Sequence, residues 1–173
     1  MPLPEQLFSP SSIAVIGASK TPDKIGYFVL ENLKLSFKGE LYPINSSEES
    51  ILGYMCCPSI TEVDGKIDVA VLVVPAKAVP DVMKECAEKD VKGAVIISAG
   101  FGEVGNHDLE ERVAAVAKGA EISVLGPNCL GVYDSHTGVD MLFLPETKVL
   151  TTGDEVVATP RPRSGPIAVV TQS

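Results

Sequence analysis

Tryptophan is absent from this 173-residue chain, aromatic residues make up only 5%, and there are two histidines and four cysteines. Cys56 and Cys57 are adjacent, while Cys86 and Cys129 stand alone. Without C-x-x-C spacing they offer neither a zinc ligand set nor a disulfide framework, and the expectation is a reduced, cytoplasmic protein with no metal site. The amino terminus lacks a basic region leading into an apolar one, and no run approaches the roughly 20 apolar residues of a membrane span. Secretion and membrane insertion are therefore not expected. Basic residues are also scarce, 14 Lys and Arg against 23 Asp and Glu, for a net charge of -9. No basic face compensates, which argues against a nucleic-acid partner. A bound phosphate would have to find local donors.

What is present is a core: 45% of the residues are hydrophobic, enough for one domain. In Ile13-Ala14-Val15-Ile16-Gly17-Ala18-Ser19-Lys20 an apolar run breaks into a small-residue turn, and from Lys24 to Lys38 the positions Ile25, Phe28, Val29, Leu33 and Phe37 recur at helical spacing up to Gly39. This is a strand, a tight turn and a helix start, where unpaired N–H groups and the helix dipole favour an anion. Lys20 and Lys24 stand where an anion would use them, although a surface lysine is ordinarily just solvated.

Strand and helix then alternate. Glu40 to Ile44 reads as a second strand, and Ser59-Ile60-Thr61-Glu62 has capping-box spacing for one short turn. The apolar runs at 68–74 and 93–98 read as strands buried on both faces. Ala78 to Asp90 is helical in pattern with Pro80 in its first turn, a helix capped at Asp108 runs to about Lys118 with Gly119 as its stop, and Ile122 to Leu125 is a further strand. The economical fold is α/β, a Rossmann-like doubly wound and mainly parallel sheet. Its ligand belongs beyond the carboxyl ends of the strands, where the exit loops 17–24, 42–47, 74–77, 98–103 and 126–129 should converge.

The dinucleotide fingerprint G-x-G-x-x-G is missing, and no acid ends the second strand to hold a ribose diol. Asn45, Ser46 and Ser47 stand there instead. They would accept a phosphorylated or neutral group, and equally they form an ordinary polar turn.

In order, Gly17-Ala18-Ser19, Tyr42-Pro43-Ile44-Asn45, Val73-Val74-Pro75-Ala76, Ser98-Ala99-Gly100-Phe101 and Gly126-Pro127-Asn128-Cys129-Leu130-Gly131 resemble the CoA-binding domain of NDP-forming acyl-CoA synthetases, the superfamily of succinyl-CoA synthetase and the ADP-forming acetyl-CoA synthetases. Residues 138–145 look like the archaeal ADP-forming branch, and residues 164–173 are similar to the opening of its second, ligase-type domain. The resemblance implies a CoA-binding domain over residues 1–146, a linker over 147–165 and the first strand of a truncated second domain over 166–173. It places Gly17, Ser19, Lys20 and Thr21 at the CoA phosphates, Pro43 and Asn45 at the nucleotide end, and Val74 and Pro75 against adenine or pantetheine. Ile97, Ser98 and Ala99 would line the pantetheine path, with Asn128 near the reactive end.

The family interconverts acyl-CoA, ADP and phosphate with acid, ATP and CoA through an acyl phosphate and a phosphohistidine. That histidine lies in the second domain, and neither His107 nor His136 matches it. By this resemblance the chain holds CoA or acyl-CoA and has no catalytic residue of its own. ADP, ATP and magnesium are handled by ligase-type and ATP-grasp domains or subunits, and the chain alone is expected to turn nothing over. Other readings are a stand-alone CoA-binding regulatory module, a CoA-binding domain fused to an acetyltransferase, and an NAD(P)-binding protein.

Overall fold

In the computed structural model, which describes residues 5–171, a 3-10 turn at Glu5–Leu7 precedes β1 (Ser12–Ile16), α1 (Ile25–Ser36) and β2 (Glu40–Ile44). The short strands β3 (Ser50–Ile51) and β4 (Tyr54–Met55) come next. They are followed by β5 (Val69–Leu72), α2 (Val79–Glu88), β6 (Gly93–Ile96), α3 (His107–Gly119) and β7 (Ser123–Leu125). The chain then forms β8 (Tyr133–Asp134), β9 (Val139–Asp140), β10 (Thr147–Val149) and β11 (Glu155–Val157).

Five strands make one sheet in the order β2-β1-β5-β6-β7, and every neighbouring pair in it is parallel. This is the Rossmann-like α/β fold. The period of two along each strand divides the core. Ala14, Ile16, Ala70, Leu72, Ala94 and Ile96 face α2 and α3, where Met83, Cys86 and Val113 meet them. Ile13, Val15, Val69, Val71 and Val95 face α1, whose Val29, Leu30 and Leu33 are fully buried. Each of those three is worth about 2 kcal/mol of burial. The α1 side has one helix where the other has two, and Val132, Val139 and Met141 complete its cover.

Several boundaries differ from the sequence pattern. Helix α1 ends at Ser36, whose hydroxyl donates to Asn32 O at 3.0 Å and to Gly138 O at 2.7 Å, and Phe37 then turns inward. Gly39 is thus no helix stop; its bare α-carbon lies against Ser11 O and the Phe37 ring. Helix α3 begins at His107 rather than being capped by Asp108; Asn106 holds the cap position, and its side chain makes no cap hydrogen bond but donates to Gly100 O. Half of the expected linker is ordered as the β10–β11 antiparallel hairpin. Ile167, Val169 and Val170 are exposed and have no ladder partner among the described residues. Gln172 and Ser173, the end of the expected final strand, lie outside the described residues, as do Met1 to Pro4 of the lead-in.

Two polar ties brace the domain. At the amino-terminal edge of the sheet Asp68 accepts from Ser11 N at 2.8 Å and pairs with Lys66 Nζ at 2.9 Å. Burial pushes its carboxyl up, but Lys66 and the N–H groups of Ser11 and Ser12 more than offset this, so it lies below its ordinary 3.8. On the other side Arg161 Nε donates to Asp140 Oδ2 at 2.6 Å, with both side chains 7% exposed. Its remaining nitrogens donate to Thr159 O and Leu144 O. Burial pushes the Asp140 carboxyl up and the guanidinium partly offsets it.

Because Asp68 is depressed in the fold, its contribution is complete above pH 3.8 and is lost as acid protonates it through the lower folded value. Urea titrations across that range should show Asp68→Asn flattening the acid limb of the stability curve. Arg161→Ala strands the Asp140 carboxylate and should lower the unfolding free energy by about 3 kcal/mol at neutral pH.

Candidate functional site

The parallel sheet delivers its strand exits to one edge, and hydrogen bonds join each exit loop to the next. Gly17 N donates to Ile44 O at 3.1 Å, and Asn45 Nδ2 donates to Ala18 O at 2.8 Å, which ties the β1 and β2 exits. Val73 N donates to Ile16 O at 2.9 Å. Gly17, at φ 89°, packs so close beneath the β5 exit that a Cβ there would lie 3.0 Å from Val73 O. Ser98 Oγ donates to Val74 O at 2.5 Å, joining the β6 exit to that of β5. Asn128 N donates to Ser98 O at 3.0 Å and joins the β7 exit to both, just past the cis Gly126–Pro127 bond. The five loops form one continuous rim.

The first loop has the chemistry of an anion cradle. Helix α1 opens at Lys24 with no side-chain cap, so its leading N–H groups have no side-chain acceptor. The Ser19 hydroxyl accepts Thr21 N at 3.1 Å and sets the loop's curvature. Gly26, in the first turn of α1, lies against the Gly17 carbonyl and Ala18 Cα. That contact presses the helix start onto the end of β1. Lys20, in the same loop, is 64% exposed, with Nζ 2.8 Å from Glu48 Oε2.

The residues expected at the site fall into two groups. Gly17, Ser19, Lys20, Thr21, Val74, Pro75, Ala99 and Asn128 present surface at the rim. Pro43 is buried in β2 and Ile97 is buried just past the end of β6, and Ser98, 8% exposed, shares its one hydroxyl proton between Val74 O and the more distant Leu72 O. Asn45 is half-buried, and its Oδ1 accepts from Ser47 N at 2.8 Å and Glu48 N at 3.0 Å. It fastens two loops together and keeps one amide hydrogen in reserve. Glu48 escaped the sequence reading because nothing in its spacing points to Lys20, twenty-eight positions earlier. Glu103 did too: its carboxylate takes the Phe101 N–H at 3.0 Å and the Gly100 N–H, and these bonds hold its carboxyl low.

The Cys129 thiol is pushed up by burial and lies 3.3 Å from Ile96 O, which makes it a packing group. His107 and His136 are both exposed, and neither lies in the rim. One surface cavity of about 410 Å³, lined by Ser11, Ser12, Glu40, Lys66 and Asp68, lies at the opposite end of the strands. Another of about 270 Å³ lies between α3 and β7 and reaches the rim only at Gly126 and Pro127. The rim itself is an exposed surface, with Lys20, Thr21, Pro75, Ala99 and Asn128 open to solvent.

Residues 11–135 match the family model described as CoA binding domain. The chain belongs to that family. It is 49% identical over 134 residues to an ADP-forming acetate–CoA ligase of Methanocaldococcus jannaschii, covering 78% of this chain and 19% of that protein. It is 41% identical over 146 residues to the alpha subunit of ADP-forming acetate–CoA ligase II of Pyrococcus furiosus, covering 83% of this chain and 32% of the subunit. Among solved structures, the dinucleotide-forming acetyl-coenzyme A synthetase 1 of Ca. Korarchaeum cryptofilum, in complex with phosphate and ADP, superposes with a TM-score of 0.79 at 44% identity. That superposition covers 82% of this chain and 31% of the synthetase. The chain thus spans between a fifth and a third of the length of these relatives. The CoA-binding domain expected from the five motifs is the family found.

Gly26→Ala tests the cradle. Its Cβ would collide with the Gly17 carbonyl, so α1 must withdraw from the end of β1. Overpacking of this kind costs about 2 kcal/mol, and a lower thermal midpoint is expected.

Proposed function

We propose that this chain is the CoA-binding portion of an ADP-forming acyl-CoA synthetase, holding CoA or acyl-CoA while other domains or subunits exchange the acyl group with ADP and phosphate. The observation that carries the reading is the family match over residues 11–135 laid onto a rim whose first loop ends at an uncapped helix start. CoA carries phosphates at one end and a thiol at the other, joined by an extended amide chain. The cradle at Gly17, Ser19, Lys20, Thr21 and α1 suits the phosphates, because backbone N–H groups and a lysine meet there. From it the crevice runs past Val74 and Pro75, which give adenine or pantetheine an apolar wall, and past the backbone groups of Ala99. It reaches Asn128, where the thiol or thioester would lie.

Within this role the chain's residues bind and orient; they perform no bond exchange. In this reading acyl and phosphoryl transfer fall to partner units. Those units would be a ligase-type domain, opened by the segment 166–173 with its apolar run Ile167-Ala168-Val169-Val170, and an ATP-grasp domain that handles ADP, ATP and magnesium. The setting we infer is the cytoplasm. Among the described residues no helix is long and apolar enough to cross a membrane.

Calorimetric titration of the chain with CoA, acetyl-CoA, NAD and NADP tests the reading. Saturable binding of the two CoA compounds and of neither dinucleotide is expected, with no ATP formed from acetyl-CoA, ADP and phosphate by the chain alone. Binding of NAD or NADP without CoA would overturn it.

A further inference from the structure

The pair between Lys20 and Glu48 is the feature of the rim that binding a phosphate would have to alter. Glu48 is not a loosely placed surface acid: its side chain is 24% exposed, and its backbone N–H is fixed by Asn45 Oδ1. Asn45 is in turn anchored to the first loop through Ala18 O. With its backbone so tethered, Glu48 brings its carboxylate to within 2.8 Å of Lys20 Nζ in the first loop.

We propose that Glu48 sets the affinity of the cradle by occupying Lys20 until a phosphate group of the ligand takes its place. The inference rests on the crevice accepting CoA. A phosphate that reaches Lys20 must break the pair and then sits beside a carboxylate of its own sign. Both effects oppose binding. The pair also keeps Lys20 beside the second exit loop when no ligand is present, so that Glu48 acts as a built-in counter-ion exchanged for the ligand's. It is a positioning residue, acting on the ligand through Lys20.

Glu48→Gln keeps the size and the backbone hydrogen bond while removing the charge. Because an exposed pair and one nearby like charge are both modest, the substitution should tighten CoA binding about threefold to tenfold in low salt. Salt screens both charges of the native pair, so log Kd should depend more steeply on log salt in the variant. A purely structural residue would not produce that change of slope. Glu48→Asp should return the affinity toward that of the native chain, and Glu49→Gln, at the exposed neighbouring acid, should leave it unchanged.

Titration with dephospho-CoA separates the two phosphate sources. A gain that persists assigns Lys20 to the diphosphate, and a gain that vanishes assigns it to the ribose phosphate; either supports the exchange. Unchanged or weaker CoA binding by Glu48→Gln, with the native chain binding CoA normally, overturns the proposal and leaves the CoA reading standing. Failure of both proteins to bind CoA overturns both.

Discussion

A buried backbone polar group must be paired, and a parallel sheet pairs its groups only as far as its strands run. Where the strands of this domain stop, the next N–H and carbonyl groups need other partners, and they find them in the neighbouring exit. Gly17 N reaches Ile44 O, Val73 N reaches Ile16 O, and Asn128 N reaches Ser98 O. The rim is a product of that requirement. Loops that would otherwise diverge are held side by side, and the polar side chains of Asn45 and Ser98 complete the links that backbone alone cannot make.

That division of labour explains which part of the site was legible in the sequence. The strands could be read because burial on both faces demands unbroken apolar runs such as Val69-Ala70-Val71-Leu72. The helices could be read because one buried stripe leaves a period. The positions of the exit loops followed, and with them the placement of Gly17, Ser19, Val74, Ser98 and Asn128. What those side chains touch did not follow. Asn45 and Ser98 look like ligand-facing polar residues in a linear chain, and only the fold shows their hydrogen bonds directed at Ala18 O and Val74 O.

The strands of two and three residues after β7 were invisible for a different reason, since a period of two needs more residues than they have. Their ordering comes from tertiary contacts. Arg161 lies twenty-one positions from Asp140 and lends no pattern to either. Yet the pair, 7% exposed on each side, together with the Tyr133 hydroxyl that donates to Pro162 O at 3.0 Å, holds the segment after the domain against the domain itself. A stretch rich in Thr, Pro, Arg and Gly reads as a linker by composition, whereas one buried guanidinium is enough to fasten it.

The uneven cover of the sheet has a temporal side. The face against α2 and α3 is closed by residues that follow their strands directly, the last of them Ile122. The face against α1 needs Val132, Val139 and Met141 as well, although it packs β1, more than a hundred positions before them. As the chain emerges from the ribosome, α1 can cover part of that face soon after β1, but the cover is completed only when Val132, Val139 and Met141 have followed. The last part of this core is thus supplied by three side chains that come after the fifth strand of the sheet, and a chain cut at the end of that strand would leave one face of the sheet partly open.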